Sequence, residues 1–379
     1  MNVIFTCGGT AGHINPAISV ADLLRTRKPE TKILFVGVQD EMETKLVPRA
    51  GYRLETLNVY SYRRKLTPKG IWHNVVALNA LRIARKKADQ IIRDFQPDVI
   101  VGTGGYGSFP MLKQGAKRGI PTAVHEANAM PGLTTRMAAD SASRIMVCFE
   151  ESRAYYKHPE RVQVVGMPVR QEFIYTTRAE ARARLGLGEE PLVISAWGSQ
   201  GAREMNKLMA DFLLLEQKAG CPWRHVHATG SFGWKWMPQL AAEKGVDLKA
   251  HPELELREYI HNMPELMAAA DLIITRAGAS SLNEIEAAGT PCIIVPSPNV
   301  TDNHQEKNAR VLERGGGAVV LLEQGLTAEK LYETARELLN DAPRRAEMKA
   351  ALQRMSVVDS AERIYETILE LAAKKQIEN

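Results

Sequence analysis

A glutamate and a histidine each follow a glycine-containing turn that comes after an apolar, strand-like run. Glu284 follows Thr-Arg-Ala-Gly-Ala-Ser-Ser-Leu-Asn, and His13 ends Gly-Gly-Thr-Ala-Gly-His. A glutamate one turn into the next helix can accept hydrogen bonds from a pair of ribose hydroxyls. A histidine at such a turn can act as a general base, because imidazole gains and loses a proton near neutral pH. The two residues indicate nucleotide binding and proton transfer.

Both residues also have simpler interpretations. Ser281 and Glu284 fit a capping box, in which each side chain satisfies a backbone donor of the first helical turn. His13 can instead donate to a phosphate or cap the helix that follows it, and its position alone slightly favours that interpretation. The spacing of these residues leaves both alternatives open.

Three glycine-rich turns could hold phosphate groups. They are Gly8 to His13, Gly102 to Gly107 and Gly198 to Ala202. Glycine lets a phosphate approach the backbone closely, and a helix that begins there presents free N–H groups and a positive dipole end. The first turn lacks the Gly-x-Gly-x-x-Gly spacing of dinucleotide sites, and Pro16 predicts a helix start close to it.

The stretch from Thr275 to Arg310 is the predicted donor site. It indicates a strand, a glycine turn, a helix over Ser280 to Ala288, a second strand and a polar loop from Asp302 to Glu306. Uncharged hydrogen-bonding side chains in that loop suit sugar hydroxyls, although an ordinary exposed loop would have a similar composition.

The sequence indicates neither a metal centre nor a cofactor. There is no Asp-x-Asp pair, and no histidine or cysteine cluster has ligand spacing. The scattered Cys7, Cys148, Cys221 and Cys292 are interpreted as reduced core residues of a cytosolic chain. We therefore expect helix dipoles and backbone amides to bind a diphosphate without an obligatory cation.

Apolar strand-like runs alternate with amphipathic helical stretches along the whole chain, which predicts parallel sheets with crossover helices. A glycine-proline break from Gly166 to Arg170 separates two such series. We predict two Rossmann-like α/β domains, over residues 1–165 and 166–357. The last helix, at about 358–379, is expected to pack back on the first domain.

The overall composition is that of a soluble globular protein. The 379 residues favour two domains, and 45% hydrophobic with 25% charged residues is an ordinary balance. The net charge of +5 comes with no nucleic-acid-binding motif, so no nucleic acid partner is expected. The chain enters a strand at once and contains no bilayer-spanning apolar run, so we expect an intracellular protein with only peripheral membrane contact.

The stretch from Thr56 to Ala88 contains no acidic residue but many basic and apolar ones. Ile71, Trp72 and Val75 lie between Arg63 to Lys65 and a second basic cluster that includes Arg82 and Arg85. An apolar helix with tryptophan and flanking cations suits an anionic membrane surface. The alternative is a helix with one face in the core, and the stretch by itself slightly favours that alternative.

Seven motifs together resemble the MurG family of peptidoglycan N-acetylglucosaminyltransferases, over residues 1 to about 360. They are Gly8 to Pro16, Gly102 to Pro110, His125 to Asn128, Gly166 to Arg170, Gly198 to Ala202, Arg276 to Glu284 and Asn303 to Arg310. The resemblance implies the B-type glycosyltransferase fold, with two Rossmann-like domains facing across a cleft. It also implies peripheral association with the cytoplasmic face of the plasma membrane, which makes the membrane interpretation of the basic, apolar helix the favoured one.

The resemblance further implies roles for individual residues. Glu284 would bind the ribose, Ile260 the uracil, Ser199 and Arg170 the diphosphate, and His304 and Gln305 the sugar hydroxyls, with Gln200 and Ala279 also at the donor. Thr10, Gly12, His13, Gly104, Tyr106 and Asn128 would bind the acceptor. His13 is the first candidate for the general base and Glu126 the second. Trp197 and His304 depart from the family pattern, which has glycine and glutamine more often at those positions.

The implied reaction moves N-acetylglucosamine from its UDP donor to the C4 hydroxyl of the muramoyl sugar of lipid I, with inversion, giving lipid II and UDP. UDP-N-acetylglucosamine, lipid I and an anionic membrane surface would be the partners. The alternatives are a UDP-N-acetylglucosamine 2-epimerase of the same fold, which needs no lipid acceptor, and a non-catalytic UDP-sugar sensor, which needs no second set of phosphate loops.

Overall fold

The computed structural model describes residues 1–60 and 67–378, without the side chains of residues 68–71 and 376–378. The chain forms two compact units, one made of Met1–Val169 with Val357–Asn379 and the other of Arg170–Ser356. The boundary falls slightly later than the expected one after residue 165. Gly166 stays with the first unit because its carbonyl accepts a hydrogen bond from His125 Nε2 (2.8 Å) and its N–H donates to Val147 O (3.2 Å).

The first unit contains a parallel sheet of order β3-β2-β1-β4-β5-β6-β7. Its strands are β1 (Asn2–Thr6), β2 (Lys32–Val38), β3 (Arg53–Leu57), β4 (Val99–Gly102), β5 (Thr122–Glu126), β6 (Arg144–Val147) and β7 (Val162–Val164). The apolar runs predicted as strands all form strands of this sheet. β3 was not predicted from the sequence, because as an edge strand it carries polar residues among its two leucines.

Helices cover this sheet. They are α1 (Ala11–Arg27), α2 (Glu43–Arg49), α3 (Pro68–Phe95), α4 (Ser108–Lys117), α5 (Leu133–Ala139) and, at the end of the chain, α16 (Ser360–Glu378). The last of these presents Ile364, Ile368 and Leu371 on one face, at helical spacing. Those side chains are buried in the same apolar cluster as Val3 and Phe5 of β1, so the end of the chain belongs to the core of the first unit.

The second unit contains a parallel sheet of order β10-β9-β8-β11-β12-β13. Its strands are β8 (Leu192–Ala196), β9 (Arg224–Ala228), β10 (Leu254–Arg257), β11 (Leu272–Thr275), β12 (Cys292–Ile294) and β13 (Ala318–Val320). Its helices are α6 (Gln171–Tyr175), α7 (Arg178–Leu185), α8 (Arg203–Lys218), α9 (Gly230–Gly233), α10 (Met237–Glu243), α11 (Met263–Ala269), α12 (Ala279–Ala288), α13 (His304–Arg314), α14 (Ala328–Asn340) and α15 (Ala342–Met355).

Each sheet is extended in both directions from its first strand. In the first unit β1 lies between β2 and β4, and in the second unit β8 lies between β9 and β11. Doubly wound domains bind ligands beyond the carboxyl ends of the strands at such a switch point. The glycine-rich turns after β1, β4, β8 and β11 stand at these points, and the predicted class of two Rossmann-like domains is confirmed.

Candidate functional site

In the first unit, His13 lies in the first turn of α1. Its N–H and that of Ile14 both donate to Thr10 O (3.0 and 3.2 Å), which closes the turn. The helix therefore begins at Ala11 and contains Pro16, so the prediction that the proline marks the start was wrong. Thr10 and Gly12 accompany His13 at this helix end, where none of the described side chains provides a cap.

The imidazole of His13 is held in the tautomer that a general base requires. Nδ1 lies 2.9 Å from Gly8 O, and because a carbonyl only accepts, Nδ1 carries the proton. Nε2 then keeps its lone pair. This nitrogen faces Gly104, where an added Cβ would lie 3.0 Å from Nε2 and 2.7 Å from Cδ2. Gly104 also has φ +109°, so both space and backbone conformation favour glycine.

Hydrogen bonds join the turn after β1 to the turn after β4. Thr103 Oγ1 donates to His13 O (2.6 Å), and the Ser108 hydroxyl lies 2.9 Å from Thr6 O and 2.6 Å from Gly104 O. The position of the His13 ring is consequently fixed by both turns.

Carboxylates already occupy part of these turns. Glu43 accepts from the N–H groups of Gly9 (3.2 Å) and Val38 (2.6 Å), and the Tyr106 hydroxyl donates to Glu41 (3.0 Å). Burial raises the pKa of Tyr106 to about 12, and the hydrogen bond to Glu41 acts in the same direction. The N terminus of α1 is therefore the part of this region best able to receive an anion.

Glu126 ends β5 and is almost fully buried. One carboxylate oxygen accepts from the backbone N–H (3.0 Å) and the side-chain amide (2.9 Å) of Asn128, and the other accepts from the N–H of Gly132 (3.2 Å). These three hydrogen bonds hold the loop after β5 in its conformation. Asn128 is held in place by the same contacts.

In the second unit, the turn between β8 and α8 has the form expected of a phosphate loop. Gly198 and Gly201 adopt φ +86° and +80°, and Ser199 and Gln200 between them are exposed. Within the described chain no side chain caps α8, whose first residue is Arg203. Its N-terminal N–H groups are thus available to a ligand.

Glu284 lies in the second turn of α12, which begins at Ala279 after an extended Gly278. The capping-box alternative was wrong, because Ser281 is already inside the helix and cannot be its N-cap. Burial raises the pKa of the Glu284 carboxyl to about 7, and the nearby Arg170 guanidinium lowers it. A carboxyl with such a raised pKa can lose its proton when a bound ligand donates hydrogen bonds to it.

Two further predicted donor residues, Arg170 and Ile260, lie in other segments of the second unit. Arg170 is exposed, and its guanidinium lies 5.1 Å from the centre of the Phe173 ring. Ile260 follows β10, and its side chain is only 2% exposed. A nucleobase could therefore contact the main chain at this position but not the side chain.

The polar loop after β12 presents a hydrogen-bond acceptor and a donor next to each other. His304 Nδ1 lies 2.9 Å from Thr301 O and so carries a proton, which leaves Nε2 as an acceptor. Gln305 Oε1 accepts from the N–H of Ser297 (2.9 Å), which leaves its NH₂ group as a donor. Asp302 and Asn303 before them both adopt left-handed φ values, 57° and 52°, a strained conformation found at ligand sites.

Residues that were not predicted from the sequence support the turn between β8 and α8. Gly230 follows β9, and a Cβ there would lie 2.1 Å from Gly201 N. Asn206 Nδ2 donates to Thr229 O (2.8 Å), and Ser231 N–H donates to Ser199 O (3.1 Å). The Thr-Gly-Ser turn directly after a predicted strand was the available signal.

A network of buried polar side chains connects Glu216 of α8 to Asn206, which holds the turn after β9. Glu216 and His225 are 2.9 Å apart, and Ser195 Oγ lies 2.7 Å from both His225 Nε2 and His227 Nδ1. His227 Nε2 then meets Asn206 Oδ1 (3.2 Å). Burial, with His225 next to it, lowers the pKa of His227 to about 3, so its ring is neutral and can share these hydrogen bonds.

Trp197 points into the core and leaves the loop intact. Its side chain is 4% exposed, its ring centre is 6.5 Å from that of His227, and the Arg276 guanidinium lies 5.8 Å from the indole centre. Gly198 retains its left-handed conformation next to it.

From Trp72 to Ala88, helix α3 buries small residues and exposes large apolar ones. Ala77, Ala80, Ala84 and Ala88 form the buried face of this part, and Ile91 and Ile92 are buried nearer the end of the helix. Trp72 is 70% exposed and Val75 52%, with Arg82 and Arg85 exposed further along. Arg63 to Lys65 and the Ile71 side chain lie outside the described residues. Over residues 1–60 and 67–378, no helix is both long and apolar enough to span a bilayer.

Family models match both parts of the chain. The glycosyltransferase family 28 N-terminal domain matches residues 3–147, and the family 28 C-terminal domain matches residues 193–364. The chain belongs to glycosyltransferase family 28. The expectation of a hexosyltransferase is confirmed with it.

This family 28 glycosyltransferase has full-length relatives. One from Thermoanaerobacter sp. (strain X514) is 40% identical over 97% of this chain and 99% of its own length, and one from Acetivibrio thermocellus is 38% identical over 99% of each. Both are named UDP-N-acetylglucosamine--N-acetylmuramyl-(pentapeptide) pyrophosphoryl-undecaprenol N-acetylglucosamine transferase. The resemblance to the MurG family is therefore confirmed.

Solved structures agree on the fold of this family 28 glycosyltransferase. MurG of Acinetobacter baumannii superposes with a TM-score of 0.77 at 23% identity, covering 97% of this chain and 99% of that one. The UDP-GlcNAc 2-epimerase of Neisseria meningitidis bound to UDP-GlcNAc gives 0.65 at 15% identity, covering 98% and 100%. At these identities the likeness establishes the fold alone, so the fold does not separate transferase from epimerase.

Proposed function

We propose that this enzyme transfers N-acetylglucosamine from UDP-N-acetylglucosamine to the C4 hydroxyl of the N-acetylmuramoyl sugar of lipid I, giving lipid II and UDP. The observation that carries the proposal is the 40% identity, over nearly the full length of both chains, to a relative named for that transfer. Membership of family 28 makes the chain a glycosyltransferase. The residues at both switch points would supply the chemistry that the transfer requires.

The proposed reaction is a single displacement with inversion. The C4 oxygen of the acceptor bonds to the anomeric carbon of N-acetylglucosamine, and the bond from that carbon to the diphosphate oxygen breaks. The hydroxyl proton passes to His13 Nε2, which carries the free lone pair, while UDP leaves with the electron pair. Glu126 is the second candidate for the base, because three donors already engage its carboxylate.

The donor is assigned to the second unit. Glu284 would accept from the two ribose hydroxyls, and the main chain at Ile260 would meet the uracil. The N termini of α8 and α12, with Arg170 and Ser199, would stabilise the negative charge that develops on the leaving diphosphate. Gln200 and Ala279 belong to these two helix ends, and His304 and Gln305 would bind the sugar hydroxyls. This arrangement requires no cofactor and no metal ion.

The acceptor is assigned to the first unit. Its diphosphate would lie at the N terminus of α1, near Thr10 and Gly12, and its sugar near His13, Gly104 and Asn128. The Tyr106 hydroxyl donates to Glu41, so Tyr106 would contribute through the wall of this region and not through an anion contact.

A product assay tests the transfer directly. The enzyme is incubated with UDP-N-acetylglucosamine and a lipid I analogue, and mass spectrometry is used to look for the disaccharide. A parallel incubation with UDP-N-acetylglucosamine alone is followed by NMR. We expect the disaccharide in the first reaction and unchanged donor in the second. Appearance of the manno epimer without a lipid acceptor would assign the epimerase reaction instead.

Gly104→Ala is expected to lower kcat by about 10- to 100-fold and leave UDP affinity unchanged. The added methyl group would displace the His13 ring, and a small misplacement of a catalytic group has an effect of this order. The matched control is Gly119→Ala, at φ +70° with no heavy atom within 4 Å of the added Cβ. Steady-state kinetics and calorimetry with UDP measure the two effects. Equal kcat values for the two variants would contradict the assignment.

The proposal includes peripheral binding to the anionic cytoplasmic surface of the plasma membrane. The exposed Trp72 and Val75 supply apolar area, and Arg82 and Arg85 on the same helix supply positive charge. A helix of this composition lies in the interface, with its apolar side chains among the lipids. Such contact would bring a lipid-linked acceptor to the enzyme.

Replacing Trp72 and Val75 together by serine is expected to weaken binding to vesicles with anionic lipids at least about tenfold, because the variant loses apolar area to insert. Vesicle co-sedimentation measures the change. Val358→Ser serves as the control, since Val358 is 54% exposed in the same unit but lies before α16. If the double variant binds vesicles as well as the control does, this helix has a purely structural role.

A further inference from the structure

Cys221, His251 and Glu253 meet at the amino-terminal edge of the second sheet. Cys221 precedes β9, and the other two residues precede β10, which pairs with it in parallel. One potential ligand atom from each residue lies within 4.8 Å of the other two, and all three residues are partly buried. The candidate donor residues lie at the opposite, carboxyl-terminal ends of the strands, so this cluster is separate from them.

We propose that these three side chains bind a zinc ion. A thiolate, an imidazole and a carboxylate are the ligands that zinc takes in proteins, and three of them leave one position for water. In tetrahedral geometry, with Zn–S of about 2.3 Å and Zn–N of about 2.0–2.1 Å, sulfur and nitrogen stand about 3.6 Å apart. Cys221 Sγ lies 3.6 Å from His251 Nδ1. The separation of the thiol and the imidazole therefore matches that of two zinc ligands, and the Glu253 carboxylate lies within 4.8 Å of both.

The local charge and backbone fit this assignment. Glu253 contributes a carboxylate to the cluster, so the site carries negative charge that a divalent cation would neutralise. Gly220 and Cys221 adopt φ +77° and +50° in succession, which turns the chain sharply after α8. A left-handed conformation is uncommon for cysteine, and here it accompanies the approach of the thiol to His251.

The chain contains its own control for this site. The tripeptide His251-Pro252-Glu253 recurs as His158-Pro159-Glu160 in the first unit, where His158 Nδ1 lies 3.3 Å from Glu160 Oε1. Among the described residues, only the Cys221 cluster brings three potential ligands together. This cluster could not be predicted from residue spacing, because the cysteine and the histidine are far apart along the chain and meet only through the pairing of β9 with β10.

A bound ion would cross-link the turn after α8 to the segment before β10. These segments lead into β9 and β10, and β10 is the edge strand on this side of the sheet, with β9 as its one neighbour. Binding to the folded state alone raises the free energy of unfolding. The expected role of the ion is therefore to stabilise the second unit and to shield the Cys221 thiol, and not to take part in sugar transfer.

Cobalt(II) titration of the chelator-treated full-length protein tests the proposal. We expect one equivalent of cobalt to give a thiolate-to-metal absorption band that zinc then removes. Zinc should also raise Tm and slow the reaction of Cys221 with a thiol reagent. Cys221→Ser and His251→Ala should lose the band and the Tm shift, and Glu253→Gln should bind cobalt at least about tenfold more weakly. His158→Ala should behave as the parent does.

Absence of the band in the parent protein, or a band of equal strength in Cys221→Ser, would overturn the zinc assignment. The pair would then be explained by a hydrogen bond between the thiol and the imidazole. If Cys221→Ser does not fold, as judged by circular dichroism, the comparison of His251→Ala with His158→Ala decides the question, because neither substitution alters the strained turn at Cys221.

Discussion

Replacing His13 by asparagine is expected to lower kcat by about 10²- to 10⁴-fold while UDP affinity stays at the parent value. The asparagine amide can donate to Gly8 O much as His13 Nδ1 does at 2.9 Å. It offers no basic nitrogen in place of Nε2, so the acceptor hydroxyl would lose its proton acceptor. Loss of rate with the turn preserved would therefore identify the base itself.

The measurement combines steady-state kinetics with a lipid I analogue and calorimetry with UDP. His158→Asn is the control, because His158 is a partly exposed histidine of the same unit that pairs with Glu160. If His13→Asn retains nearly the full kcat, His13 is not the base.

Glu126 would then be the remaining candidate, and Glu126→Gln separates its two possible roles. The amide nitrogen of glutamine cannot accept the hydrogen bond that Gly132 N–H now donates to Glu126 Oε2 (3.2 Å). We expect this substitution to lower Tm as well as activity, because the loop after β5 loses a buried hydrogen bond. A fall in kcat at unchanged Tm would instead support direct proton transfer by Glu126.

The sheets could be predicted from the sequence because their strands are short apolar runs bounded by turns. Runs such as Leu192–Ala196 are buried on both faces, as strands of parallel sheets are, and the glycine turns that follow them mark the switch points. β3 (Arg53–Leu57) escaped prediction because an edge strand need not be uniformly apolar. The local sequence pattern therefore predicts the central strands and the glycine turns, but not the edge strand β3.

Contacts between distant residues could not be predicted in this way. Asn206 supports Thr229, and Cys221 meets His251, only because neighbouring strands bring their flanking segments together. The tautomer of His13 likewise depends on where Gly8 O lies in the folded turn.

Helix α3 shows an intermediate case. Its surplus of apolar residues was visible in the sequence, but the choice between core and surface depended on its alanines. Between residues 72 and 88, Ala77, Ala80 and Ala84 lie on the buried face, and Trp72 and Val75 are therefore left exposed. A helix that buries small side chains can pack closely on its sheet while large ones remain available for another surface.

Glu284→Gln is expected to weaken UDP binding about 10- to 100-fold, the effect of losing charge-assisted hydrogen bonds to the ribose. It should also make the ligand-free protein more stable at about pH 8. Burial raises the pKa of this carboxyl from 4.5 to about 7. Ionisation of Glu284 therefore opposes folding above pH 7, and this cost fades as the pH falls towards 4.5. A neutral glutamine removes the cost, by an amount of about 1–3 kcal/mol.

The same shift predicts how donor binding depends on pH. Ribose hydroxyls favour the ionised carboxylate, so UDP affinity of the parent should rise as the pH increases through about 7. Glu284→Gln should lack that component, and because UDP itself titrates identically in both experiments, the difference between the two curves isolates Glu284. Calorimetry with UDP at several pH values measures it. Glu333→Gln, an exposed substitution on α14, is the control and should change neither Tm nor affinity.

Opposite changes in affinity and Tm are what distinguish a binding carboxylate from a structural one. A structural carboxylate would lower both when replaced, because its partners in the fold would lose their hydrogen bonds. Within the described residues no protein hydrogen bond to the Glu284 carboxylate is present, and its charge is opposed by burial and only partly offset by Arg170. A variant that binds UDP as tightly as the parent at every pH would remove Glu284 from the donor site, even if its Tm rises as expected.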